Sequence, residues 1–191
     1  MPPKPKFSKQ DILDAALKLV RDEGIEHLTA RSLAQKLGCS VCPVFTVFEN
    51  MEELQAEVIR AAKDLYSQYV EEGLKFSPAF KGVGMQYINI AVNEPRLFRM
   101  LFMAEQPERP SVTDILPAIE DNYDKILQSV CDCYDFNLTQ AVRLYRHLWI
   151  YTHGIASLCA TNTCNFTSDE ISTMLTEVCR AQVVALKRET K

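Results

Sequence analysis

With 191 residues the chain has room for one large domain, or for a small domain joined to a larger one. Its 47% apolar content supplies a sizeable core, its 24% charged content is ordinary for a soluble protein, and its formal net charge is −4. No apolar run approaches the ~18 residues of a membrane span and the start lacks a secretory apolar segment, so no membrane partner is expected and the expected location is cytoplasmic.

The charge is unevenly spread. Residues 1–48 hold seven Lys/Arg and five Asp/Glu, and the remainder holds fourteen and twenty. A mildly basic end on an acidic body suits a protein that meets phosphates at one end only.

In chain order, MPPKPKF is a proline-rich basic arm without expected fixed structure. Two readings of Lys4 and Lys6 are open, contact with nucleic-acid phosphates or a solubilising tail. Ser8 and Asp11 cap a helix to about Glu23, whose Ile12, Ala15, Ala16, Leu19 and Val20 recur at helical spacing. From Thr29 to Leu54 the sequence reads as two short helices joined by a turn, then the start of a long helix. Thr29 caps the first, Leu33, Ala34 and Leu37 give it an apolar side, and Gly38 supplies the left-handed turn. Ser40 caps the second, from Val41 to about Val47. Asn50 and Glu53 form a capping pair for the third. This is a helix-turn-helix pattern, whose second helix can lie in the DNA major groove. The domain boundary is placed at residue 52, with a DNA-binding head in 1–52 and a larger body in 53–191.

The long helix runs to about Gly73 with Leu54, Val58, Ala61, Ala62, Leu65 and Tyr69 on one face. Next come a helix from about Pro78 to Val92, a short buried one from Pro95 through Met103, a loop over 106–110, and a helix from near Pro117 to about Tyr134. Asn137 with Gln140 opens a helix to about Asn162, and Thr167 with Glu170 opens the last, to about Arg188. The fold class is therefore all-α, with about nine helices and no strand.

The first 55 or so residues resemble the DNA-binding domain of the TetR family of bacterial transcription regulators. The resemblance is carried by ILDAALKLVRDEGIEHLTARSLAQKLG followed by Phe45, Phe48 and Glu-Glu-Leu, in register over some 45 residues. Trp149, His153 and Gly154, in LWIYTHGIASL, resemble the Trp-His-Gly signature of one group of that family's C-terminal domains. The resemblance implies an operator-binding regulator, a homodimer and a small-molecule effector, with Arg31 and the reader-helix residues touching DNA. By position the candidate DNA contacts are Lys4, Lys6, Thr29, Arg31, Ser40, Val41, Cys42, Pro43, Thr46 and Asn50, with Val41, Pro43 and Val44 able to meet thymine methyl groups. Relatives usually carry glycine at the position of Cys42, tyrosines at Phe45 and Val47, a polar or basic residue at Thr46, and lysine at Met51. Losing those hydroxyl and charged contacts implies weaker non-specific affinity with a flatter salt dependence.

Beyond the reader helix, Phe80, Tyr87, Phe98, Met103, Tyr123, Trp149 and His153 are candidates for an apolar effector pocket; for His153 the other reading is a satisfied core histidine. Tyr145, Leu148, Thr152 and Ile155 of one helix and Leu175, Val178, Val183 and Leu186 of the next are candidates for a two-fold dimer interface, or alternatively core of the single chain. Cys39 and Cys42 form a CxxC at the reader helix, open to a redox reading or to that of ordinary thiols. The other five cysteines read as core filler. No second CxxC, His pair, nucleophile elbow, phosphate-cradling glycine loop or HExxH is present, so no metal, cofactor or catalytic residues are expected.

Overall fold

The computed structural model describes residues 7–41, 43–105 and 109–189. Among these the chain forms nine α-helices and no strand: α1 (Lys9–Glu23), α2 (Ala30–Lys36), α3 (Met51–Leu74), α4 (Ala79–Asn93), α5 (Pro95–Phe102), α6 (Ile115–Ile119), α7 (Tyr123–Tyr134), α8 (Leu138–Ala160) and α9 (Ser168–Arg188). The number matches the sequence expectation through two opposite differences. The expected reader helix Val41–Val47 is reduced to a 3-10 turn, Val44–Thr46, and the expected single helix from Pro117 to Tyr134 is divided into α6 and α7.

The chain forms two compact units, the first made of the residues up to Leu65 together with Glu94–Ala104. It extends well past the sequence boundary at residue 52, because Leu54, Val58 and Ala62 of α3 and Leu97 of α5 share a fully buried core with Ile12, Ala16, Val20 and Leu33. Local chemistry sets its helix ends. Ser8 and Asp11 form a reciprocal capping box on α1, and Thr29 with Ser32 does so on α2. Pro95 occupies the first position of α5, where its missing N–H is harmless. Arg21 of α1 donates from Nε to Glu94 Oε2 at 2.9 Å, with a second bond from Nη2 to Oε1. α5 is not buried on all sides as expected: Leu97 and Phe98 face the core, while Arg99 and Met103 are exposed.

The second unit comprises Tyr66–Asn93 and the chain from Glu105 onward. Here α4 packs chiefly on α8, α8 on α9, and α7 on both α4 and α8. The end of α3 and the start of α4 approach at backbone distance: a Cβ added at Gly82 would lie 2.2 Å from the Gly73 carbonyl oxygen. Asn137 with Gln140 and Thr167 with Glu170 form reciprocal boxes that start α8 and α9. The side chains expected at a dimer interface are largely interior to this unit. Tyr145, Leu148, Thr152, Ile155, Leu175 and Leu186 are buried and Val178 and Val183 half-buried within the single chain. Both helices carry apolar groups on more than one face, and the richer face packs inward.

Candidate functional site: an exposed turn and an apolar cavity

In the first unit, the turn after α2 is a Schellman motif. Gly38 has φ +63°, its N–H reaches the Gln35 carbonyl at 3.1 Å, and the Cys39 N–H reaches Ala34 at 3.0 Å. The backbone over Val44–Thr46 is a 3-10 turn, and the Thr46 hydroxyl donates to the Pro43 carbonyl at 2.7 Å. The Val44 N–H bonds to Val41 at 3.1 Å and that of Thr46 to Pro43 at 3.3 Å, which keeps the pitch tight.

Of the ten candidate DNA contacts, Lys4, Lys6 and Cys42 lie outside the described residues. Arg31, Ser40, Val41 and Thr46 are exposed, and Pro43 is half-buried. Thr29 is held by its capping box. Asn50 Oδ1 accepts the Glu53 N–H at 2.8 Å, but the Glu53 carboxylate takes the N–H of Glu49 at 2.6 Å, so the expected reciprocal pair is displaced by one residue. Val44 is 0% exposed and belongs to the core, which removes it from the thymine-contact candidates; Phe45, 43% exposed, projects outward instead. The basic side chains differ in their commitments. Lys9 pairs with Glu53 and Glu57, Lys18 and Lys36 with Asp22, and Arg21 with Glu94, whereas Arg31 has no carboxylate partner among the described residues.

The second unit holds a partly open cavity of about 280 Å³. Tyr66 of α3, Phe80, Lys81, Val83, Gly84 and Tyr87 of α4, Glu120 just past α6, Ile126 and Tyr134 of α7, Tyr145, Leu148, Trp149 and Thr152 of α8, and Leu175, Thr176, Cys179, Arg180 and Val183 of α9 line it, with Pro78. Three expected pocket residues are therefore present, Phe80, Tyr87 and Trp149. Phe98 is core of the first unit and Met103 is an exposed residue of that unit, so neither belongs to this cavity. Tyr123 stacks on Tyr145 with centroids 5.7 Å apart, behind the lining. His153 also stands behind it. Its ring stacks on Trp149 at 5.2 Å and its Nδ1 is 2.9 Å from the Tyr87 hydroxyl. In this hydrogen bond the donor is set by the imidazole tautomer. Burial lowers the His153 pKa, which favours the neutral ring.

Among the lining residues outside the sequence's pocket candidates, two are joined by a buried hydrogen bond, Tyr66 and Glu120. Tyr66 is buried beside Tyr87, ring centroids 6.0 Å apart and nearly perpendicular. Its hydroxyl donates to Glu120, which occupies the break between α6 and α7. Glu120 also accepts from the Asn122 N–H at 2.9 Å and from Asn122 Nδ2 at 3.3 Å; the same Nδ2 reaches Ser67 Oγ at 3.1 Å. Burial pushes the Glu120 carboxyl above the ordinary carboxylate value, against these hydrogen bonds. The helix break was the available signal: Pro117 tolerates only a first turn, and the Glu-Asp-Asn run after it is polar within an apolar stretch.

The cysteines are not uniformly core filler. Cys133 and Cys164 are exposed, Cys39, Cys131 and Cys159 are half-buried, and Cys179 lines the cavity 3.0 Å from the Tyr134 hydroxyl. Among the described residues no group of three or more His, Cys, Asp or Glu is placed to hold a metal, and no helix is long and apolar enough to cross a membrane. No protein-family model matches the chain, and no curated protein matches its sequence.

Proposed function

We propose that the chain is a homodimeric transcriptional regulator of the TetR type, a repressor whose first unit grips a roughly palindromic operator and whose second unit holds a small, mostly apolar effector. The observation that carries this reading is the Thr29–Phe48 segment. A capped α2 and a Gly38 turn present Arg31, Val41, Phe45 and Thr46 to solvent over a fully buried Leu33 and Val44. The largely apolar cavity supports the effector half of the reading. Effector and operator need only differ in their affinity for two states of the dimer for one to displace the other. Pairing of two copies is supported by the outward faces of α8 and α9, where Ile150 is 48% and Val184 45% exposed and Gly154 has open space beyond its Cα. Binding of the folded protein to the DNA flanking its own gene, followed by fluorescence anisotropy at low salt, tests the reading. A folded dimer that leaves that DNA free sinks it.

One observation favours a second reading, a dimeric ligand-binding or adaptor protein of the same fold that does not bind DNA. The reader is a short 3-10 turn whose exposed aromatic, Phe45, lacks a hydroxyl for phosphate. Retention on heparin across a salt series separates the two: a DNA binder is released progressively as salt rises, and an adaptor passes through.

A further inference from the structure

We infer that the cavity of the second unit takes an organic cation, an amine or ammonium on a compact apolar body, with Glu120 as its counter-ion; this rests on the effector reading above and names the effector's chemical class. Glu120 is 5% exposed, yet its side chain lines the cavity. Its hydrogen-bond donors are all neutral: the Tyr66 hydroxyl, the Asn122 amide and Asn122 Nδ2. Among the described residues no Lys, Arg or His nitrogen lies within the 4.0 Å of an ion pair, and no basic group acts on its ionisation. A buried carboxylate supported only by neutral donors keeps most of its desolvation cost, and a cation brought into the cavity offsets it. The walls suit such a guest. Tyr66, Tyr87, Tyr145 and Trp149 give the cavity aromatic surface, whose ring faces attract positive charge.

Two basic side chains also line the cavity and have to be weighed. Lys81 Nζ donates to Ser172 Oγ at 2.7 Å, and Arg180 is an exposed residue. Neither comes within ion-pair reach of Glu120; Arg180 is screened by solvent, and the half-buried Lys81 is held at the wall by Ser172. A cavity of about 280 Å³ limits the guest to a small molecule.

The test uses the full chain and the fluorescence of Trp149, its one tryptophan, which lines the cavity. Three probes are titrated: benzyltrimethylammonium, its neutral isostere neopentylbenzene, and the anion 3-phenylpropanoate. The cation is expected to bind at least about tenfold more tightly than the isostere, and Glu120→Gln to bring the two within about twofold of each other. No binding of the cation, equal affinities for the isosteric pair, tighter binding of the anion, or a preference that survives Glu120→Gln overturns the inference. If Glu120→Gln does not fold, Tyr66→Phe replaces it: with one donor fewer the carboxyl takes up a proton more readily, so the preference for the cation weakens more on mild acidification than in the parent, and an identical pH dependence in the two proteins overturns the inference. None of these titrations contains DNA, so their failure leaves operator binding standing, and a failure of operator binding leaves the titrations standing.

Discussion

Replacing Tyr66 by Phe deletes one hydroxyl from the interior of the second unit and opens no packing void. The ring keeps its edge-to-face contact with Tyr87 at 6.0 Å. What is lost is a hydrogen bond to a buried carboxylate, a change of about 2 kcal/mol. The loss stays near that figure because Glu120 retains the Asn122 amide at 2.9 Å and Asn122 Nδ2 at 3.3 Å. The effect has a definite pH dependence. Burial raises the Glu120 carboxyl above its ordinary 4.5, and the Tyr66 bond works against that rise, so the variant's carboxyl moves higher still. A carboxyl whose folded pKa exceeds its unfolded one gives the native chain extra bound proton in between. Stability therefore declines as pH rises through the window above 4.5 and levels off beyond the folded value. The deficit of the variant is accordingly largest above the folded values and closes as the solution is acidified toward the unfolded one. Urea unfolding followed through Trp149 reports on this unit directly, and comparing about pH 7.5 with about pH 5 reads the window. A variant within about 0.5 kcal/mol of the parent at neutral pH, or a deficit of the same size at both pH values, refutes the reasoning.

Gly82→Ala places a Cβ 2.2 Å from the Gly73 carbonyl oxygen, a backbone atom with little room to yield. A loss of about 3 kcal/mol is expected in a melt followed through Trp149, and a melt like the parent's refutes the close approach. Arg31→Ala is expected to lower the slope of log affinity for DNA against log salt by about 0.9. Lys36→Ala lowers it less, since that ammonium is held 2.8 Å from Asp22; equal effects count against Arg31 as a phosphate contact. Ile150→Asp and Val184→Asp, on the outward faces of α8 and α9, are expected to weaken self-association at least about tenfold in sedimentation velocity. An unaltered dimer in both variants places the interface elsewhere.

What the sequence made legible is mostly what is local. The Ser8, Thr29, Asn137 and Thr167 caps and the Gly38 turn each depend on side-chain chemistry within a few residues, and each is present in the structure. Long-range choices were harder to see. Along α3 the expected face ended on Tyr69, whereas the buried stripe steps by four through Leu54, Val58, Ala62, Tyr66 and Val70. Such a stripe turns gradually around the helix, and from Tyr66 onward α3 belongs to a different compact unit, so a single-face pattern loses its phase there. On α8 both an inward row through Tyr145 and Leu148 and an outward row through Ile150 and Leu158 are apolar. Periodicity registers either row equally well, and only the packing of α4 and α9 decides which one is core. Glu120 was hidden for a related reason: its importance comes from Tyr66, distant in sequence, and not from its neighbours.

The composition of the first unit bears on how this protein can be taken apart. Because that unit closes with Glu94–Ala104, the chain passes between the two units at residues 65–66, 93–94 and 104–105. A fragment cut after Leu65 would lack Leu97, whose side chain is fully buried in that core, and Glu94, the carboxylate that Arg21 grips. The turn after α2 is thus not a detachable module. Grafting it onto another body means carrying α5 with it, and a change that reshapes α4 is tied by peptide bonds to a helix on which α1 rests.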